Sequence, residues 1–217
     1  MSPCYLSRRH FLLIIFIIYV IKKIKHMEQI SNNVMVLNVG DQIPLGIEDA
    51  LKIYLCGSMD LGPTGEYNWF QKFIDGMRVA VDPTKGYMNL FSKCNYVIFN
   101  PYYVPKNPTQ NIFNQEFTQK WAWENQCLEV ADCIFLNFLG KSTSPLPLYT
   151  FGYTVRSGKL VVRCPEVYAN YGVVKMACDT YNVPLVGSKM GTVNQILSLM
   201  FSFIPKFQEI GNNTLPE

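Results

Sequence analysis

The fold is decided by the stretch from Trp121 to Tyr153, which reads WAWENQCLEVADCIFLNFLGKSTSPLPLYTFGY. This stretch predicts the end of one helix, a buried strand, a polar loop and the start of the next helix. Trp121, Leu128 and Ala131 follow each other at helical spacing, so they share one face of a helix. The apolar run Cys133–Phe138 is typical of a parallel strand that is covered on both faces.

The loop that follows this strand is a candidate wall of a binding site. Residues Gly140 to Pro147 include Gly, Ser, Thr and Pro, which is a loop composition. Open parallel sheets bind ligands beyond the carboxyl ends of their strands. If the protein has a site, the loop from Gly140 to Tyr149 should therefore form one side of it.

Strands and helices alternate along the rest of the chain. Apolar runs predict further strands at Ile53–Cys56, Tyr96–Phe99, Leu160–Val162 and Pro184–Val186, with another at Val34–Val39. Helical spacing of apolar residues predicts helices over Glu66–Met77, Ile112–Ala131, Leu148–Arg156, Tyr171–Tyr181 and Val193–Phe203. The tail after Pro205 is expected to fray. This alternation predicts a three-layer α/β domain with a mostly parallel sheet.

Composition excludes several classes of function. The formal net charge of the 217-residue chain is only +3 and its basic residues are scattered, so it lacks the basic stripe of a nucleic-acid-binding protein. Both histidines, His10 and His26, precede the domain, which argues against a histidine-based zinc site or a Ser-His-Asp triad. The seven cysteines form no Cys-x-x-Cys pair and are interpreted as reduced core thiols. We expect neither a metal nor an organic cofactor.

Residues 1–26 differ from the rest of the chain. Phe11–Ile21 is wholly apolar and is flanked by basic residues, but as a helix it would be about 16 Å long, half the hydrocarbon thickness of a bilayer. Three interpretations stay open: a short membrane anchor through residues 5–25, a helix lying in the membrane interface, or leader sequence before a true start at Met27. The domain organisation that we expect is the leader 1–26, a bridging segment 27–50, the α/β domain 51–190, and a C-terminal helix and tail 191–217.

A glycine-bearing loop follows the first strand of the α/β domain. It runs from Gly57 to Gly65 and reads GSMDLGPTG. The backbone N–H groups of such a loop can meet an anion, but the loop taken by itself favours a plain turn. The pattern is not G-x-G-x-x-G, so it does not indicate a dinucleotide site.

Several short motifs occur in an order that resembles the nucleoside 2-deoxyribosyltransferase-like family over about residues 51–187. The first motifs are the G-S-M-D loop with Trp69 after it and Asn100-Pro101 after the second strand. The next helix carries W-x-W-E and ends with A-D. Ser144-Pro145, Phe151-Gly152 and the strand G-K-L-V-V-x-C-P follow. The resemblance implies a flavodoxin-like fold. It also implies cleavage of the N-glycosidic bond of a deoxynucleoside or its monophosphate, through a covalent ester on a Glu.

The resemblance also implies a set of site residues. Glu124 takes the acid position that contacts the base, and Ser144 lies near the sugar hydroxyls. The first loop lies near the sugar and contributes Gly57, Ser58 and Asp60. Trp69 and Asp132 complete the substrate-binding set. Asp132 could instead cap a helix or anchor a loop.

The chain departs from the family at the nucleophile. The Leu-Glu-Leu-Gly-like element is Tyr149-Thr150-Phe151-Gly152 here, so Thr150 stands where the family has its Glu. Thr is a poor nucleophile without an adjacent base. Val173 also stands where family members often have Asn. These departures favour a domain that binds a nucleoside or nucleotide with weak or lost glycosyl transfer.

Two alternatives stay open. The protein could be an active transferase or hydrolase that uses Glu124 or Asp60 as its carboxylate, or a membrane-tethered protein whose domain serves another purpose. The resemblance further implies a homo-oligomer. We expect a small-molecule ligand, no nucleic-acid partner and a cytoplasmic location, or membrane association through the N-terminal segment.

Overall fold

The fold is built on a parallel sheet of six strands in the order β1-β3-β2-β4-β5-β6. The computed structural model describes residues 33–60, 68–82, 90–104, 106, 109–187 and 192–214. In chain order the strands are β1 Val34–Asn38, β2 Leu51–Gly57, β3 Tyr96–Asn100, β4 Cys133–Asn137, β5 Leu160–Arg163 and β6 Leu185–Val186. The order from β3 to β6 is that of flavodoxin-like folds, and β1 adds one strand beside β3.

Helices cover both faces of the sheet. They are α1 Trp69–Ala80, α2 Gln115–Val130, α3 Leu146–Thr154, α4 Tyr171–Tyr181, α5 Val193–Phe203 and α6 Pro205–Thr214, with a short 3-10 helix at Leu90–Lys93. Apolar side chains of α1, α5 and α6 form one core with one face of the sheet, and those of α2, α3 and α4 form a second core with the other. This is the three-layer α/β fold that the alternation of elements predicts.

The central strand shows why the sheet needs two cores. Every residue of β2 is buried. Because successive side chains point to opposite faces of a strand, Ile53 and Leu55 join the first core, whereas Tyr54 and Cys56 join the second. Strand β4 divides in the same way, so both strands read as nearly continuous apolar runs.

Side-chain caps fix where two helices begin. Asn68 accepts a hydrogen bond of 3.2 Å from the Gln71 amide and starts α1, and Asn114 accepts one of 3.1 Å from the Glu116 amide and starts α2. Both helices therefore begin three residues later than the apolar spacing predicts. Residues 61–67 of the first loop lie outside the described residues.

The prediction of a frayed tail after Pro205 is wrong. Residues Pro205–Thr214 form α6, in which the Phe207 side chain is fully buried in the first core. Ile210, three residues later, also packs against this core, so tertiary contacts of its apolar side chains hold the helix. No helix among the described residues is both long and apolar enough to cross a membrane. The leader 1–26 lies outside these residues.

Candidate functional site

A cavity of about 430 Å³ opens at the carboxyl end of β2. Strand β2 contributes Tyr54, Cys56 and Gly57 to its lining. Helix α2 forms one side, and the other side consists of the loop before α3 together with α3 itself. Ligands of open α/β sheets bind beyond the carboxyl ends of the strands, where the strand order reverses. The cavity is therefore the candidate site.

Gly57 ends β2 at a point where only glycine fits. Its φ is +147°, and an added Cβ would lie 2.1 Å from the carbonyl oxygen of Asn137 in β4. The Ser58 amide donates a hydrogen bond of 3.0 Å to that same oxygen. The close approach of the two strand ends sets the position of the first loop at the edge of the cavity.

Ser58 and Trp69 support this loop from behind. Both are buried, and the Trp69 indole N–H donates a hydrogen bond of 3.0 Å to the Ser58 carbonyl. The Ser58 hydroxyl accepts one of 3.1 Å from the Leu139 amide. Neither residue is among the described residues that line the cavity. The sequence predicts substrate contacts for both, whereas the structure places them as supports of the loop.

Asp60 joins the first loop to the loop before α3. Its carboxylate accepts hydrogen bonds from the Ser142 hydroxyl at 2.6 Å and from the amides of Thr143 and Ser144 at 2.8 and 3.1 Å. Burial opposes its ionisation, but the Ser142 hydroxyl and the backbone amides outweigh burial and lower the pKa of the carboxyl. Asp60 is therefore charged at neutral pH, and it brings Ser144 to the cavity.

Glu124 lies on the side of α2 that faces the cavity. Its side chain is mostly buried, and its Oε1 lies 2.5 Å from Nζ of Lys120, one turn earlier. Trp121 and Leu128 line the cavity beside it. The predicted shared face of Trp121 and Leu128 is thus the face toward the cavity. The face that packs on the sheet is a different one and carries Trp123 and Cys127.

Thr150 lines the cavity from α3. Its hydroxyl donates a hydrogen bond of 3.1 Å to the carbonyl of Leu146, one turn earlier in the same helix. Gly57, Asp60, Glu124 and Ser144 line the same cavity. Five residues that the sequence analysis selects from four separate segments therefore converge on one space.

Tyr54 is a site residue that sequence reasoning misses. It lines the cavity, yet it is only 4% exposed, and no described group makes a hydrogen bond with its hydroxyl. Burial raises the pKa of this phenol well above its usual value, and the Glu124 carboxylate adds to the rise. The phenol therefore stays protonated and can donate a hydrogen bond to a ligand. In the sequence Tyr54 is one more apolar residue of a buried strand.

The remaining predicted site residue, Asp132, lies outside the cavity. It precedes β4 at the amino end of the sheet, where its Oδ2 lies 3.0 Å from Nζ of Lys52 and 3.1 Å from Nζ of Lys206. The Lys52 amide also donates to it at 2.9 Å. Parallel strands have their amino ends at the edge opposite the cavity, so the alternative role of Asp132 as an anchor agrees with its contacts. Val173 is exposed on α4 and is not a described lining residue.

Among its described residues the site has neither a group of metal ligands nor a thiol with a lowered pKa. Within the described part of the chain, no three His, Cys, Asp or Glu side chains group closely enough to hold a metal ion. Cys56 lines the cavity, but burial raises the pKa of its thiol well above the usual value. Because the thiolate is the nucleophilic form, Cys56 is a packing residue and not a nucleophile at neutral pH.

Comparison with known families identifies the domain. Residues 50–168, more than half of the chain, match the family model described as nucleoside 2-deoxyribosyltransferase like. The chain therefore belongs to the nucleoside 2-deoxyribosyltransferase-like family. No curated protein matches the chain. The family and its α/β fold agree with the resemblance that the motif order indicates.

Proposed function

We propose that the cavity binds a deoxynucleoside or a related nucleotide. In this proposal the protein cleaves the N-glycosidic bond, by transfer of the sugar or by hydrolysis, weakly or not at all. The observation that carries this proposal is the lining itself. Residues that the motif resemblance assigns to the base and the sugar border one cavity. Thr150, which the resemblance aligns with the family's nucleophilic Glu, borders it too.

The size and the walls of the cavity support nucleoside binding. A volume of about 430 Å³ lies within the usual range for small-molecule sites. Trp121 of α2 and Tyr149 of α3 both line the cavity, and their rings lie next to each other with centroids 6.1 Å apart. Aromatic walls and a few polar groups, here Glu124 and the Tyr54 hydroxyl, suit a planar base with donors on its edge.

The contacts of the candidate nucleophiles support weak or absent transfer. Cleavage of an N-glycosidic bond proceeds through a transition state with positive charge on the sugar, which a carboxylate stabilises and traps. The Thr150 hydroxyl carries no charge and donates to Leu146. The Asp60 carboxylate is held by donors of its neighbouring loop. The Cys56 thiol stays protonated, so none of these groups is prepared to attack.

One observation favours an active enzyme as the second candidate. Glu124 is a carboxylate in the same cavity, and it could act on the sugar if it came within about 3–3.5 Å of the reacting carbon. Its ion pair with Lys120 opposes this role, because the ammonium already compensates its charge. In the proposed function Glu124 accepts hydrogen bonds from the base.

Calorimetric titration of the full chain with 2′-deoxyadenosine and thymidine tests the binding step. We expect saturable binding that Glu124→Gln weakens about tenfold, because a hydrogen bond to a charged acceptor contributes about 1.5–3 kcal/mol. Glu129→Gln is the matched control, since Glu129 is exposed on the same helix and is not a described lining residue. Absence of binding to both nucleosides would refute the proposal.

A further inference from the structure

Strands β4 and β5 end in two polar residues that lie side by side. Asn137 ends β4, Arg163 ends β5, and the two are paired in the parallel ladder. Because side chains alternate along a strand, both point to the face of the sheet that carries Phe135 and Val161 of the first core. Neither is a described lining residue of the cavity. The two residues therefore form a separate polar group at the same edge of the sheet.

Asn137 holds the guanidinium of Arg163 through one hydrogen bond. Its Oδ1 accepts from Nη1 of Arg163 at 2.9 Å. Asn137 is only 3% exposed, and its Nδ2 group donates to no acceptor in the described part of the chain. Buried donors in folded proteins are nearly always paired, so this group calls for an acceptor that the described residues do not supply.

The charge of Arg163 lacks a counter-ion among the described residues. A guanidinium has five N–H groups, and the hydrogen bond to Asn137 uses only one of them. Arg163 is partly buried, and burial lowers the pKa of its guanidinium. No described carboxylate forms an ion pair with it. An arginine nonetheless stays protonated in proteins, so its charge remains to be compensated.

Two lysines show how the chain compensates partly buried charges elsewhere. Lys52 and Lys206 lie 3.0 and 3.1 Å from the same carboxylate oxygen of Asp132. A buried charge is costly unless it is paired. Arg163 departs from this pattern, and because it stays partly exposed, a ligand can reach it from solvent.

We propose that Arg163 and Asn137 bind a small oxyanion, namely the phosphate or the carboxylate group of a small molecule. The planar guanidinium offers parallel N–H groups that match two oxygens of either group, and such charge-assisted hydrogen bonds are stronger than neutral ones. Asn137 fixes the guanidinium at the carboxyl edge of the sheet, where parallel α/β folds bind their ligands. The inference does not depend on the proposed function, since the two sites share no described residue.

Calorimetric titration of the full chain with sodium phosphate and, separately, with sodium acetate tests the inference. Both titrations are run at one pH and at constant ionic strength set with NaCl, so that the screening of charges is the same throughout. We expect saturable binding of at least one of the two anions. The anion that binds more tightly identifies the ligand group as phosphate or carboxylate.

Two variants address the site itself. Arg163→Gln removes the charge, and Asn137→Asp places a carboxylate of the same shape beside the guanidinium, where it would act as an internal counter-ion. We expect each variant to weaken anion binding at least about tenfold. Arg156→Gln is the matched control and should bind as the wild type does, because Arg156 is exposed and donates to the Tyr181 hydroxyl. Since Asn137→Asp keeps the shape of the side chain, it decides the question should Arg163→Gln not fold.

The outcomes that would overturn the inference are specific. One is the absence of saturable binding of either anion by the wild-type protein. Others are binding that Asn137→Asp leaves unchanged, or that Arg156→Gln weakens as much as Arg163→Gln does, because the anion would then lie elsewhere on the surface. Each of these results leaves the proposed function intact, since neither anion contains a base or a sugar.

Discussion

The hydroxyl of Thr150 donates a hydrogen bond of 3.1 Å to the carbonyl oxygen of Leu146. This bond directs the proton of the hydroxyl to the helix backbone, and no histidine stands in the domain to remove it. In the proposed function, Thr150 takes the place of the family's nucleophilic Glu, so a neutral group that is engaged within its own helix stands where a carboxylate would act.

Thr150→Glu should introduce slow release of free base from a deoxynucleoside. The new carboxylate would lie on the cavity side of α3, where it can stabilise positive charge on the sugar and trap it. Chromatography of the reaction mixture measures the base. Thr150→Val is the matched control and should stay inactive, because it removes the hydroxyl without adding charge. A Thr150→Glu protein that binds the nucleoside but releases no base would mean that more than the nucleophile is missing.

Tyr54→Phe should weaken nucleoside binding about fivefold to tenfold, because it removes the hydroxyl of a buried residue that lines the cavity. The free energy of unfolding should change by less than about 1 kcal/mol, since the hydroxyl has no partner among the described residues. Tyr96→Phe is the control. Its hydroxyl donates a hydrogen bond of 3.0 Å to the Phe91 carbonyl, so the loss of this hydroxyl should lower stability and leave nucleoside binding unchanged. Equal effects of the two variants on binding would contradict a role for the Tyr54 hydroxyl.

Gly57→Ala should destabilise the protein by about 3 kcal/mol or more. The new Cβ would lie 2.1 Å from a backbone oxygen of β4, and the φ of +147° is already unfavourable for alanine. Gly158→Ala separates the two effects, because Gly158 has a φ of +70° but open space around it. This control should cost only about 1–2 kcal/mol. Urea unfolding measures both, and similar losses would show that the close approach of β2 and β4 is not limiting.

Asp132→Asn should lower stability by roughly 3 kcal/mol and leave nucleoside binding unchanged. The substitution leaves the charges of Lys52 and Lys206 without their shared carboxylate in a mostly buried setting. The control, Asp179→Asn, breaks the exposed pair with Lys175 and should cost less than about 1 kcal/mol. A clear loss of nucleoside binding by folded Asp132→Asn would place Asp132 in the site after all.

The sequence predicts the sheet well because buried parallel strands are short apolar runs, and these are visible at β2, β3, β4 and β5. The weakest prediction concerns the end of the chain. There, Phe207 and Ile210 hold α6 against the first core, and two apolar side chains in a polar segment give too weak a periodic signal to predict a helix. Helix starts are also missed by three residues at α1 and α2, since Asn68 and Asn114 act as caps only in the folded chain.

For the candidate site, too, the sequence predicts some residues and misses others. Motif order selects Glu124, Ser144 and Thr150, and the structure places all three in the lining of one cavity. Motif order cannot tell which residue of a motif faces the cavity. Ser58 and Trp69 support the loop, whereas Tyr54, hidden in an apolar strand, faces the cavity. Side-chain direction depends on strand pleat and loop path, which short motifs do not encode.

The most direct test of the account is the release of free base by the unmodified full chain. The protein is incubated with 2′-deoxynucleosides that it binds, with and without a second base as acceptor, and the products are separated by chromatography. The account predicts no exchanged nucleoside and no free base above the protein-free control. Base release that increases with protein concentration and is abolished by Glu124→Gln would contradict it, because Glu124 would then be a catalytic carboxylate.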